Sequence, residues 1–304
     1  MSSADAITAR PAGSAIECRF DVRSRLEVID VLTGVRRTVY EDDTHFEAPN
    51  WSRDGRFLVF NKAGRLYTQS VDGSGTPQLL NTGKAVNNNN DHGISPDGTK
   101  IAISDETFGS SMIYVVPMEG LQDGEMPKQI TPSAPSYWHG WSPDGQFLVY
   151  TAQREKDQFD IYKIPSGGGD EIQLTDLPTL DDGPEFAPDG RIYFNSFRTD
   201  IMKIWRMDAD GQNQTQITFG DKYGDWFAHI SPDNKLLAFI SYDRSIGSDH
   251  PANKDVVLQV MPIDGSAEPR VLAKLFGGQG TFNVPSWSPD SRHVAFVSYE
   301  MLEI

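Results

Sequence analysis

Three histidines occupy matching places in this sequence. His92 and His139 each stand three residues ahead of the serine of a Ser-Pro-Asp-Gly phrase. His229 stands two residues ahead of the serine in the related phrase Ser231-Pro232-Asp233-Asn234. A fourth copy, Ala187-Pro188-Asp189-Gly190, is preceded by Asp181, Asp182 and Glu185. Imidazoles and carboxylates are ligands for zinc or manganese, and they are also the common proton donors and acceptors of catalysis. Asp91 adjoins His92, Trp138 adjoins His139, and Asp225-Trp226 precedes His229. Glu47 lies just ahead of the first copy of the phrase. Meeting at one place, these residues would hold a divalent metal or move protons on a sugar stacked against Trp138 or Trp226. Arg198 would then pair with a substrate carboxylate through two parallel hydrogen bonds. Asp182 with Glu185 is the carboxylate pair that a glycosidase would need. Taken singly, each histidine is better explained by a hydrogen bond to a backbone carbonyl between blades. Their common register favours a shared site built from His92, His139 and His229. His45, His250 and His293 fall in loops or along strands and are assigned surface or structural roles.

The phrase that sets this register occurs six times, in segments beginning at Trp51, Ile94, Trp141, Phe186, Ile230 and Trp287. Proline presets φ, aspartate caps the turn with its side chain, and glycine accepts a positive φ, so each copy is a tight turn. An apolar residue ends the strand before it, and an alternating apolar run begins the strand after it. A second strand pair follows, as in FDIYKIPSGGGDEIQLT and MKIWRMDADGQNQTQIT. Four strands per repeat of about 45 residues make a sheet that cannot bury both faces alone; radial stacking buries them all. The last hairpin runs into the C-terminus without an outer pair. The missing pair stands at the other end, in SRLEVIDVLTGVRRTVY from Ser24 to Tyr40. The expected fold is therefore all-β: a six-bladed β-propeller of four-stranded antiparallel blades, closed by N-terminal strands pairing with the C-terminal blade. Its expected extent is residues 14–304, after a flexible segment over residues 1–13.

In such a ring the residues ahead of each turn border the central channel. Gly277-Gly278-Gln279-Gly280 precedes the last inner strand on the histidine side, so Gln279 reaches the same mouth and its glycines allow a close backbone approach. The insert Tyr242 to Asp255 lengthens the last spacing and is long enough to form a lid.

Forty-three acidic against 27 basic residues give a net charge of −16, which opposes binding to nucleic acid or an anionic membrane. A single cysteine, Cys18, excludes an internal disulfide. MSSADAITARPAGSAIECRF has no basic start followed by an apolar run, so a cytoplasmic protein is expected, or a periplasmic one if a leader has been removed.

The six turn phrases resemble the PD40 (WD40-like) repeats of the TolB family, across nearly the whole chain from about Ser14. The resemblance implies the propeller fold and a single-domain form without TolB's N-terminal α/β domain. PD40 propellers include oligogalacturonate lyases, which hold manganese on histidines and a glutamine. By that resemblance His92, His139, His229 and Gln279 would be the ligands of manganese or zinc, one histidine would remove the proton α to a uronate carboxylate, and Arg198 would pair with that carboxylate. The functional expectation is a TolB-like propeller that binds a small polar ligand, an oligosaccharide or a partner peptide at its His-rich mouth. Its ligand-binding residues would be Glu47, Asp91, Trp138, Asp225, Trp226 and Gln279. The alternative is a carbohydrate lyase or hydrolase using His92, His139, Asp182, Glu185 and Arg198.

Overall fold

The structure is a computed structural model that describes residues 22–155 and 157–302. The flexible segment expected over residues 1–13 lies outside the described residues.

Each Ser-Pro-Asp-Gly phrase folds the same way because its side chains satisfy its own backbone. In the first copy Ser52 Oγ donates to Asp54 Oδ1 at 2.8 Å, Arg56 N donates to the same oxygen at 3.0 Å, and Phe57 N donates to Ser52 Oγ at 3.0 Å. The copies at Ser95, Ser142, Ser231 and Ser288 repeat the serine–aspartate bond. Ala187 lacks the hydroxyl, and there Asp189 alone holds the turn through Arg191 N. The fourth turn position requires the left-handed backbone region. Gly55 sits there at φ 78°, and Asn234 and Ser291 occupy it at 58° and 60° in the last two copies.

These turns join the inner strands Glu47–Trp51, Asn88–Ile94, Ser136–Trp141, Asp181–Phe186 and Tyr223–Ile230 to their hairpin partners. Each inner strand begins a four-stranded antiparallel sheet whose strands follow in chain order, and these are blades one to five. Blade six is the seam. Strand Val22–Asp30 lies between Arg36–Asp42 and His293–Met301, in a register running from Val22↔Met301 to Asp30↔His293. Residues 281–287 take the inner position, held by the bridge Trp287↔Val294 and by Val297 N donating to Thr281 O at 3.0 Å. The ring thus closes as expected, with strands from both ends of the chain in one blade.

Apolar faces meet between blades. At the seam Val22, Leu26, Phe46, Trp51, Phe60 and Val297 belong to one buried cluster that joins blade six to blade one. Glu27, 4% exposed, accepts hydrogen bonds from Arg36 and from Ser298 Oγ, so the charge placed in the seam is paired. The indole N–H of Trp141 reaches Gly93 O, and that of Trp287 reaches His229 O, both at 2.8 Å, tying each inner strand to the blade before it.

If the seam closes the ring, Leu26→Ala should cost about 2–5 kcal/mol through the cavity it leaves. Leu32, 75% exposed in the adjoining turn, should tolerate alanine to within about 0.5 kcal/mol. Urea unfolding followed by tryptophan fluorescence measures both, and equal costs would contradict the seam.

Candidate functional site

Every one of the five inner strands of blades one to five breaks its register near its middle. The breaks lie between Glu47 and Asn50, Asn88 and His92, Trp138 and Gly140, Asp182 and Glu185, and Trp226 and His229. Such bulges leave residues unpaired and re-aim their side chains, and they collect at the rims of closed sheets. The strain is visible as positive φ at Ala48 (60°), Gly183 (59°) and Phe227 (54°).

The second strand of one blade clasps the bulge of the next. Asn61 Nδ2 donates to Asn88 O and Asn89 O at 2.7 and 2.6 Å. Trp138 N donates to Ser104 Oγ at 2.8 Å, Thr151 Oγ1 to Asp182 Oδ1 at 2.8 Å, and Phe227 N to Asn195 Oδ1 at 3.0 Å. Polar side chains thus take over the backbone bonds that the broken register gives up.

At the mouth Asp182 is held between two imidazoles. His139 Nε2 lies 3.4 Å from Oδ1, and His250 Nε2 lies 3.4 Å from Oδ2. His250 comes from the insert of blade five and stands edge-on to Trp226, with ring centroids 4.5 Å apart. Asp91 faces the same group from blade two, and its Oδ1 accepts from Asn283 Nδ2 of blade six at 3.1 Å. Asn90 donates to the carboxylate of Glu47 in blade one. The glycine run closes behind. A Cβ on Gly280 would stand 2.2 Å from Glu47 Oε2, and one on Gly278 would stand 2.2 Å from Pro251 O. Only glycine admits both the carboxylate and the insert at this distance.

Burial pushes Asp91 up to about 6; the positive fields of His139 and His250 oppose the rise, and the charge of Asp182 adds to it. Burial and the charges of Asp91 and Asp105 push Glu106 up to about 7. Burial also raises Glu47, against the field of His45. Asp182 goes the other way: burial would raise it, but hydrogen bonds and charge from His139 and His250 hold it well below the usual carboxylate range. Both histidines are raised, because Asp182 outweighs the burial that would neutralise them.

The expected residues separate into two groups. Glu47, Asp91, His139 and Asp182 come together at the mouth, and Gln279 lies in the glycine run, its backbone N 3.4 Å from Pro251 O. His92 is buried beside the backbone carbonyls of Val59 and Ala48, and burial pushes it down to about 4. His229 is committed to Glu185 Oε2 at 2.5 Å and Phe282 O at 3.1 Å, so Glu185 and Asp182 serve different partners. Arg198 bonds Asp181, Ser196 and Gln214 and lies 4.6 Å over the Trp205 ring. Asp225 pairs with buried Lys203 at 2.9 Å. Trp138 fills the space left by Gly93, whose Cβ would stand 1.9 Å from the indole, and Trp226 lies fully buried beneath His250. The two indoles are therefore packed as core, not laid open as stacking platforms.

His250 does lie in a loop, but not in the surface or structural role expected from the sequence: its side chain meets Asp182 and Trp226 at the mouth. Glu106 and Asn283 were also missed. A signal for the ring did exist. Five residues ahead of each turn serine, or of Ala187, stand Glu47, Asn90, Tyr137, Asp182, Trp226 and Asn283, a row two positions beyond the histidine row.

The donor set proposed for a metal does not fit one. His229 is committed to Glu185 and Phe282 O, and His92 is fully buried with neither ring nitrogen hydrogen-bonded. Among the described residues no three His, Cys, Asp or Glu side chains are grouped to hold a metal ion. Two clefts, of about 370 and 440 Å³, lie between neighbouring turn phrases, and their lining includes none of the mouth residues.

Residues 127–256 match the family model for the TolB β-propeller domain. The chain is 46% identical over 284 residues to the uncharacterized protein Atu1656 of Agrobacterium fabrum, covering 93% of this chain and 94% of that one. A solved structure of a TolB candidate from Agrobacterium tumefaciens superposes with a TM-score of 0.87 at 45% identity, covering 92% of this chain and 99% of the other. An oligogalacturonate lyase in complex with manganese superposes with a TM-score of 0.54 at 14% identity, over 91% and 96% of the two chains, a likeness of fold alone.

The shifts carry a pH signature. Asp91 and Glu106 bind protons more tightly folded than unfolded, where the reference values are 3.8 and 4.5, so their terms favour the folded state at low pH and are lost as pH rises through about 6 and about 7. The raised histidines act in the same direction, their stabilisation lost as pH rises through their folded values. The depressed Asp182 contributes wherever pH exceeds its unfolded value, so its term is constant in this window. Stability should therefore fall between about pH 5 and about pH 8. The fall should be smaller by on the order of 1–3 kcal/mol in an Asp91→Asn, Glu106→Gln double variant. Urea unfolding at the two pH values reads this difference, and identical slopes would contradict the assigned shifts.

Proposed function

The chain belongs to the TolB-like family of PD40 β-propellers, and we propose that it is a binding propeller whose mouth takes a small polar ligand or the polar end of a partner peptide. One observation carries this reading: polar side chains from all six blades, among them Glu47, Asp91, His139, Asp182, His250 and Asn283, gather around one axis. A core would not spend six polar positions there without a use for them, since each costs desolvation. Asp182 and His250 keep 14% and 12% of their side chains exposed, so solvent reaches the clasp.

An acid–base enzyme acting on a carbohydrate has one observation in its favour. Asp91 and Glu106, at about 6 and about 7, are poised to exchange protons near neutral pH. The metal-dependent form of that reading lacks its donor set, as described above. Incubation with oligogalacturonides, followed by unsaturated-product absorbance and reducing ends, tests the enzyme; an absence of both rejects it for this substrate class.

The binding reading is tested by thermal shift across neutral sugars, uronates, amines and short peptides. A ligand at the mouth, present at a hundred times its Kd, should stabilise the wild type by about 2.7 kcal/mol and leave Asp182→Asn nearly unmoved. A panel that shifts neither protein, or both alike, would overturn it. No helix among the described residues is long and apolar enough to cross a membrane.

A further inference from the structure

The charges around the mouth do not balance. Both imidazoles are directed at Asp182, from 3.4 Å on either side. Asp91, Glu47 and Glu106 share the neighbourhood without a cation bonded to any of them; their pKa values rise chiefly because burial is not repaid.

Beside Asp91 two buried acceptors lack partners, while elsewhere at the mouth His250 Nδ1 and the indole N–H of Trp226 lack them too. Asn283 is 2% exposed, and its amide nitrogen donates to Asn90 O at 3.2 Å and to Asp91 Oδ1 at 3.1 Å. Those two acceptors fix which end of the amide is nitrogen. Its Oδ1 is buried without a partner, as is Oε1 of Glu106. An amide oxygen and a carboxyl oxygen therefore await donors.

We infer that the mouth recognises a primary ammonium group on a slender alkyl stem, bound by Asp91 and Glu106 with Asn283. This rests on the reading of the mouth as a binding site and names its ligand class. An ammonium carries three donors and no acceptor, which suits these two oxygens and the Asp91 carboxylate. A hydroxyl brings one donor and two lone pairs, and a uronate brings a charge of the same sign as the site. The throat is narrow: Asp91 is 6% exposed, and His250 stands over Trp226. Tyr137, beside Asp91 and Glu106, adds an aromatic wall for the cation and its first methylenes. The ammonium has two sources, a free diamine or the side chain of a lysine in a partner peptide.

Titration calorimetry on the full chain tests the inference. The probes are putrescine, Nα-acetyl-lysine methylamide, 1,4-butanediol, digalacturonate and calcium chloride. Putrescine or the lysine amide should bind at pH 7.5, and the tighter of the two identifies the source. Butanediol, its uncharged analogue, should not bind. Asp91→Asn should weaken amine binding by about tenfold or more, with an unchanged circular dichroism spectrum; Glu106→Gln, less buried, provides the second variant. Binding near pH 6.5 should release protons, seen as a heat that varies with buffer ionisation enthalpy, because the ammonium displaces protons held by Asp91 and Glu106. Glu47, Asp105, His139, Asp182 and His250 also face these two groups. Affinity should therefore fall from pH 7.5 to 5.5 although the amine stays charged.

Equal binding of butanediol, no proton release, unchanged affinity in both variants, or tighter binding of calcium would each overturn the inference. Binding of digalacturonate but not of amines would sink it while leaving the mouth a binding site. Binding of none of the probes would sink it outright, and the wider thermal-shift panel decides the mouth separately.

Discussion

The pairing of Val22–Asp30 with His293–Met301 is the constraint on which the rest depends. Nine residue pairs of unbroken register join segments from opposite ends of the chain. A blade buries its faces only against two neighbours, and an open ring would leave the sheets of blades one and six each with one bare face. The closing strand is also where the energy is concentrated: Leu26, Val28 and Ile29 are essentially unexposed, and Glu27 is neutralised by Arg36 across the same sheet. Contacts this distant in sequence pay a loop-closure cost before they repay it, so the seam has to be strong.

Closure also makes the site. Glu47 and Asn283 lie at opposite ends of the described chain, yet both border the mouth, and each reaches it through Asn90 or Asp91 of blade two. The bulges then turn the channel rim from a backbone ladder into a display of side chains. The cost is met locally, since Asn61, Ser104, Thr151 and Asn195 each bond the bulge of the following blade. Rigid clasps of this kind fix where a carboxylate stands to within a hydrogen bond, which a loop-borne residue would not achieve.

The fold was legible because its signal is chemical and repeated. Ser52 and Asp54 close a turn with their own side chains, and four other copies do the same. The missing outer pair followed from counting strands. The site was less legible. Which residue of an inner strand faces the channel depends on the bulge, and a bulge shifts the alternation by one or more positions without any composition signal. Asp182 and His139 were found. His229, apparently in step with them, instead bonds Glu185 in the layer between blades four and five. Arg198 and Asp225 looked available because their partners, Asp181 and Lys203, are 17 and 22 residues away in sequence. His250 was out of reach for another reason: it arrives on an insert that belongs to no repeat.

A last consideration joins the electrostatics to the seam. Asp182 is bonded by His139 and His250 from either side, so the burial of its charge is repaid. Asp91 and Glu106 are different, because their raised affinity for protons measures energy that folding spends on them and does not recover. Such a debt is tolerable only where other contacts hold the geometry by force, and the clasped bulges and the closed ring do so. A site preorganised in this way offers its unpaired acceptors to whatever donor enters, without rearranging to meet it. The strain in the mouth and the strength of the seam are therefore two sides of one design: the ring is closed firmly enough to hold like charges together that would otherwise move apart.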